Sequence, residues 1–416
     1  MKKNNYFYIV LFGFSGIIGG LINYIYHPIM LRFMSIEEFG IFSSLISIFN
    51  ILSVVTIGFD LFLNKEFSRN LDDEKKVKSV FVDSTKIFGI IGITLFALFT
   101  VFSPFIANFL GIQSNFLVII SGLILVFSFG GISASAFLKS SKSFEVLSFN
   151  DVLAPVARLV FGVLFVFLGL GILGAVLGFI ASYIISLLFI LYFSFGKLKN
   201  IDYKPNTKKL FKDFIGSKTE LFNFFFVSLI FSIFMNVDML IARNIFSSGD
   251  AGIYGGITVL GKFLIFLLLA IETIYYGQIM KFKKSEIPKN LLITPILVIA
   301  GLIVFSLIFN YFFGEFLLGI LKPEFKNYLD IFLLNLTYYG FLAFISFFMK
   351  VSIGLNFYKI NIISSILLIF LFVFIYKFSN HSLYEFSLSF ALFGIISTFI
   401  LAVFFFFECK KLKAEN

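Results

Sequence analysis

The sequence predicts an all-α membrane protein: twelve transmembrane helices in two parallel, pseudo-symmetric six-helix lobes around a central cavity. Three observations carry that expectation. Mean hydropathy is +1.02, with 59% hydrophobic and 13% charged residues, whereas a soluble chain of 416 residues needs a polar surface to cover its core. Twelve apolar runs approach the ~20 residues that a helix needs to cross about 30 Å of hydrocarbon. Finally, Met34-Ser35-Ile36-Glu37-Glu38-Phe39-Gly40-Ile41-Phe42 returns 212 residues later as Phe246-Ser247-Ser248-Gly249-Asp250-Ala251-Gly252-Ile253-Tyr254. Ser35 then stands over Ser247, Glu38 over Asp250 and Gly40 over Gly252.

The runs fall near 6–31, 39–63, 81–110, 116–138, 151–171, 172–195, 217–243, 251–276, 290–313, 328–349, 359–376 and 386–407. The first starts directly after Met1-Lys2-Lys3-Asn4-Asn5, is too long for a signal-peptide core and precedes no small-residue cleavage site, so it reads as a retained helix. His27-Pro28 is expected to bend or end that helix near its outer end, because proline removes a backbone donor and clashes with the preceding turn. Such a bend would gate the outer mouth, with Arg32 beside it. One copy of the acidic turn joins the first two runs, and the other joins the seventh and eighth. The fifth and sixth meet at Gly169-Leu170-Gly171. Six crossings separate the two turns, an even number, so the halves insert in the same sense about an axis along the membrane normal. The lobes are then 1–195 and 217–416, joined by a basic cytoplasmic linker at 196–216. Its stretch from Thr207 to Phe214 suits a surface helix on anionic lipid.

The net charge of +10 is a topology signal. With the N-terminus inside, the loops on that side collect 24 Lys and Arg, and the opposite side keeps five: Arg32, Arg243, Lys322, Lys326 and Lys377. Short cytoplasmic loops concentrate basic residues, so both termini are expected in the cytoplasm. A nucleic-acid partner is not expected. The single cysteine, Cys409, excludes a disulfide framework and a cysteine-based metal site. Tyrosines gather at span ends as aromatic belts, except Tyr338 and Tyr339. The 66 phenylalanines read as lipid-facing bulk. Small residues four apart, Gly16 with Gly20, Gly40 with Ser44, Gly174 with Gly178 and Gly252 with Gly256, predict close helix approach inside each half.

Leu31-Arg32-Phe33-Met34-Ser35-Ile36-Glu37-Glu38-Phe39-Gly40-Ile41-Phe42-Ser43, then Asn64-Lys65-Glu66-Phe67-Ser68-Arg69, and later Asn236-Val237-Asp238 running into Gly249-Asp250-Ala251-Gly252-Ile253-Tyr254, carry a resemblance. The chain resembles the polysaccharide-transporter branch of the multidrug/oligosaccharidyl-lipid/polysaccharide superfamily, which includes the Wzx-type O-antigen flippases. The resemblance spans the whole layout and is dense around the first two and the seventh and eighth helices. It implies a V-shaped pair of lobes in a bacterial cytoplasmic membrane, turning an undecaprenyl-diphosphate-linked O-antigen, capsule or exopolysaccharide unit from the inner to the outer leaflet by alternating access. It also implies membrane lipid, a glycan polymerase and a chain-length regulator as partners, and no cofactor beyond a coupling proton or sodium ion.

The intramembrane charges are the candidate site. Lys262 lies about 16 Å down the eighth helix, where an ammonium costs about 3 kcal/mol and needs a wet cavity or a counter-ion. A cavity lysine would attract diphosphate; the repeat sets Asn50 opposite it. Arg158, in the inner third of the fifth helix, suits either a bidentate grip on phosphate or snorkelling to the interface. Lys86 is expected to pair with Asp83 on the same face. On the seventh helix Glu220 and Asp238 return to one face, whereas Asn236 is about 160° away, and the carboxylate face is taken as the cavity side. Asp238 is then the candidate for ion coupling, its alternative being a pair with Arg243. Asp60 and Glu272 coincide in the repeat and suggest either a symmetric closing contact on the cytoplasmic side or ordinary solvated end charges. His27 reads as a polar cap or proton relay, and His381 has no evident role.

Two other functional classes compete. A cation-coupled drug or ion antiporter of the same superfamily, or a sugar or drug carrier of the major facilitator type, would share the layout. The loop after the second helix, Asn64 to Asp73, lacks the Gly-x-x-x-Asp-Arg-x-Gly-Arg pattern of major facilitators, which speaks against the carrier alone. A membrane enzyme would need clustered acid, base and metal ligands, and the chain shows neither paired carboxylates at a recognisable spacing nor a phosphate-binding glycine loop.

Overall fold

The computed structural model describes residues 2–199, 201–204, 218–282, 287–355, 357–378 and 382–414, and every regular element among them is helical. In chain order these are α1 (Lys2–Phe33), α2 (Ile36–Arg69), α3 (Glu74–Val101), α4 (Ser103–Phe109), α5 (Asn115–Gly130), α6 (Ile132–Ser140), α7 (Phe144–Phe165) and α8 (Gly171–Lys197). Then come α9 (Lys218–Ile245), α10 (Ser248–Ile279), α11 (Lys289–Leu321), α12 (Leu329–Gly354), α13 (Tyr358–Phe378) and α14 (Leu383–Ala414). Ten stretches are long and apolar enough to cross a membrane, and Ile362–Ile375 is a shorter apolar one. One of the ten, Phe144–Lys197, contains two crossings. Gly169 and Gly171 hold φ of +86° and +50°, a region that favours glycine, and fold α8 back along α7. With that reversal counted, each expected crossing is a helix.

The duplicated segment is a helix start. Ser35 Oγ accepts the Glu38 amide at 3.1 Å and the Ser35 amide donates to the Glu38 carboxylate at 2.9 Å, closing two of the amides that a helix N-terminus leaves open. In the second copy Ser247 Oγ accepts the Asp250 amide at 3.2 Å and its hydroxyl donates to Asp250 Oδ2 at 2.7 Å. The echo therefore fixes where α2 and α10 begin.

The chain forms two compact units, Met1–Phe225 and Phe226–Asn416. This boundary lies inside α9, downstream of the expected linker, because Phe225 sits close to Gly58 of α2. The linker stretch from Thr207 to Phe214 lies outside the described residues. In the first unit α7 packs between α1 and α8, while α2 lies on α5 and α6, which in turn lie on α8. The second unit repeats this order, α10 on α12 and α12 on α14. Its central helix α12 buries a nearly continuous run from Tyr338 to Met349.

Close packing follows some of the predicted small-residue pairs. A Cβ at Gly174 would stand 2.7 Å from the Phe165 carbonyl carbon, and one at Gly178 2.5 Å from Gly162 Cα, so α7 and α8 touch backbone to backbone. Gly16 and Gly20 have no atom in that range; Gly19 makes the close approach instead, against the Asp151 carbonyl oxygen. Pro28 does not end the first helix: α1 continues to Phe33.

Candidate functional site

A polar cluster in the second unit gathers on Asp238 of α9, which is 0% exposed. Tyr254 of α10 donates to Asp238 Oδ2 at 3.0 Å, and Tyr339 of α12 donates to the same oxygen. Oδ1 is buried with no hydrogen-bond partner among the described residues. Thr258 donates to Asn335 Oδ1 at 3.4 Å next to this group, and Tyr338 ties α12 to the Phe234 carbonyl at 2.6 Å. Tyrosine hydroxyls, not Arg243, are thus the partners of Asp238. A buried carboxylate with one oxygen unpaired is costly, and it is the arrangement in which a proton or small cation gains most from binding.

Lys262, half-buried in α10, turns into the same cluster. Its ammonium lies 3.3 Å from Asn236 Oδ1 and 5.8 Å from the Tyr339 ring centre, with Asp238 within electrostatic reach. The expected separation of Asn236 from Asp238 describes only how the two side chains leave α9. Lys262 and Tyr339 reach around the helix and join them. Glu220 has no described side chain.

In the first unit Arg158 of α7 is held inside the bundle rather than snorkelling. It donates to Asn23 of α1 and, at 3.3 Å, to Ser182 of α8, and its guanidinium lies 3.9 Å from the Phe179 ring centre. Those contacts use two of the five guanidinium donors, Nε and one on Nη1, and fix the side chain among α1, α7 and α8. Asp60 and Glu272 form matched ion pairs within their own units, to Lys139 at 2.9 Å and to Lys350 at 2.8 Å, so each ties helices of one unit together. Lys86 does not pair with Asp83: Ser79, one turn back, donates to Asp83 Oδ2 at 3.2 Å, and Lys86 is exposed. His27 packs against the rings of Tyr26, Phe42 and Phe179. Arg32 and Asn50 are exposed, and His381 lies outside the described residues.

Sequence reasoning missed Tyr254, Thr258, Asn335, Tyr338 and Tyr339. Their signal was two tyrosines in mid-span, where neither interface can wet a hydroxyl. A longer repeat was missed too. Ser135, Lys139, Asn150 and Ser186 recur as Ser346, Lys350, Asn361 and Ser397, each 211 residues on. This single-residue shift against the turn repeat hides them from a fixed offset.

Solved structures share this fold. An inward-facing multidrug-resistance MATE transporter of the MOP superfamily aligns with a TM-score of 0.76 at 14% identity, over 96% of this chain and 99% of its own. The lipid II flippase MurJ, inward closed, aligns at 0.74 and 16% identity over 95% of this chain and 87% of its own. A MOP-superfamily transporter from Pyrococcus furiosus aligns at 0.67 and 16% identity, over 98% and 96%. No curated protein sequence matches the chain. The family model described as "Polysaccharide biosynthesis protein" matches residues 4–275, more than half of the length and the whole of both duplicated helix starts. On that match the chain belongs to the polysaccharide biosynthesis protein family, built on the fold of the MOP-superfamily transporters.

Proposed function

We propose that this protein is a flippase moving an undecaprenyl-diphosphate-linked oligosaccharide, an O-antigen, capsule or exopolysaccharide unit, from the inner to the outer leaflet of a bacterial cytoplasmic membrane, with both termini in the cytoplasm. The observation that carries the reading is the polysaccharide-biosynthesis family match over residues 4–275, on a fold shared with a lipid II flippase. The charges supply a mechanism. With Asp238 ionised, Lys262 is drawn into the α9–α12 cluster. A proton or sodium ion on the unpaired Asp238 oxygen cancels that attraction and frees the ammonium for diphosphate, a pairing worth about 4 kcal/mol at 4 Å and an effective dielectric of 20. Ion binding and substrate binding are then linked through one lysine.

Lys262→Ala is expected to abolish or sharply reduce display of the cognate surface glycan while the protein still accumulates in membranes. Normal display removes Lys262 from the mechanism. Asp238→Asn is expected to leave glycan transport insensitive to collapse of the ion gradient. The fold shared with a multidrug-resistance transporter keeps cation-coupled export of a small molecule as the second reading. Chromosomal neighbours separate the two: glycosyltransferases, a polymerase and a chain-length regulator accompany a glycan flippase, and an isolated regulator-linked gene accompanies an exporter.

A further inference from the structure

The first unit contains a cavity of about 370 Å³ between α2, α5, α6, α7 and α8, distinct from the Asp238 cluster. Its polar lining includes Asp60, Ser135, Lys139, Asn150, Tyr183 and Ser186. Lys139 and Asp60 are paired at 2.9 Å, so together they bring no net charge to attract phosphate. What remains is an alternation of donors and acceptors. Ser186 donates to Asn150 Oδ1 at 2.9 Å and thereby leaves the Asn150 NH2 group as a donor. The Lys139 ammonium and the Asp60 carboxylate line the same cavity and offer charge-assisted bonds. Ile57 and Leu187 form apolar wall between these groups.

Neutral, densely hydrogen-bonding, partly apolar lining is the chemistry of a sugar ring, whose hydroxyls each donate and accept while its C–H faces lie on aromatic and aliphatic surface. The volume sits near the lower end of the about 300–1,000 Å³ usual for ligand pockets, which suits a sugar residue rather than a whole repeat unit. The second half of the chain repeats the same residue types in sequence, with Glu272, Ser346, Lys350, Asn361 and Ser397, but has Leu268 for Thr56 and Leu342 for Gly131. Both leucines are 0% exposed, as is Glu272. The carboxylate of the repeated ion pair is therefore fully buried in one half, at Glu272, and 21% exposed beside a cavity in the other, at Asp60.

The geometry points to a saccharide subsite in the first unit, where Asn150, Lys139 and Asp60 bind an uncharged sugar residue of the transported glycan. This rests on the glycan-transport reading. The test uses the full-length protein in lipid nanodiscs and saturation-transfer NMR with methyl glycosides of glucose, galactose and N-acetylglucosamine, and with inorganic diphosphate. At least one glycoside is expected to receive saturation, and Asn150→Ala, which keeps the cavity open, is expected to weaken that signal about tenfold. Gly131→Leu, which puts into the cavity the leucine found at the aligned position 342, should abolish it. Absence of glycoside binding to the natural protein, equal binding by Asn150→Ala, or preferential binding of diphosphate that Asn150→Ala weakens overturns the subsite. Loss of surface glycan in cells lacking the protein, with no glycoside bound in nanodiscs, sinks the subsite and leaves the transport reading standing. Glycoside binding with normal glycan display in such cells does the reverse.

Discussion

At Glu272 the carboxylate is fully buried, and Lys350 neutralises it at 2.8 Å; at Asp60 the side chain is 21% exposed and meets Lys139 at 2.9 Å. Equal distances do not make equal contributions. Removing one partner of a buried pair strands a desolvated charge and costs about 3–5 kcal/mol, whereas a pair with access to water is worth about 1 kcal/mol or less. Lys350→Met should therefore lower the thermal unfolding midpoint of the purified protein far more than Lys139→Met. Glu272→Gln added to Lys350→Met should recover most of the loss. Equal midpoints for the two single variants would show that Glu272 is not held as an ionised group. The pairing itself was half legible: the repeat aligned Asp60 with Glu272, but nothing local to either named a lysine on another helix.

Among the helices of the first unit, α7 and α8 touch backbone to backbone. Glycine is required there because Gly178 faces the Gly162 backbone, with Arg158 and Ser182 bonded a turn further along. A side chain at 178 must push the two helices apart, at a cost of about 1–3 kcal/mol or more for overpacking. Gly178→Val is expected to destabilise the protein by at least that much in thermal unfolding and to disturb the Arg158 contacts. Gly16→Val should change little, since no atom approaches a Cβ there. The sequence presented both glycines with the same four-residue spacing. Which of them faces a neighbouring helix depends on the rotation of each helix, and α1 turns Gly19 rather than Gly16 or Gly20 towards α7. The duplicated starts at Ser35 and Ser247 needed no such information, because a cap closes on its own helix within three residues.

Across the whole molecule, the repeated arrangement differs between the halves in side-chain volume at two aligned positions. Thr56 and Gly131 line the cavity of the first unit, and the residues aligned with them in the repeat, Leu268 and Leu342, are fully buried in the second. Leu342→Ala is expected to cost about 2–5 kcal/mol, the range for emptying a buried leucine site. Gly131→Leu should cost less than that, because it extends into existing space. Thermal unfolding of the two variants side by side checks the asymmetry, and a larger loss for Gly131→Leu would remove it.

The sequence by itself determined the helical membrane fold, the crossings, the repeat and the helix starts. Each follows from composition or from contacts within a few residues, and the bilayer makes the apolar length obligatory. Tertiary structure alone decided what the intramembrane charges meet. Lys262 met Asn236 and the Tyr339 ring, Arg158 was spent on Asn23 and Ser182, and Asp238 acquired two tyrosines from α10 and α12. A helix turns 100° per residue, so a small error in phase moves a side chain from one neighbour to another. The partners lie up to 135 residues away along the chain, beyond the reach of any local pattern.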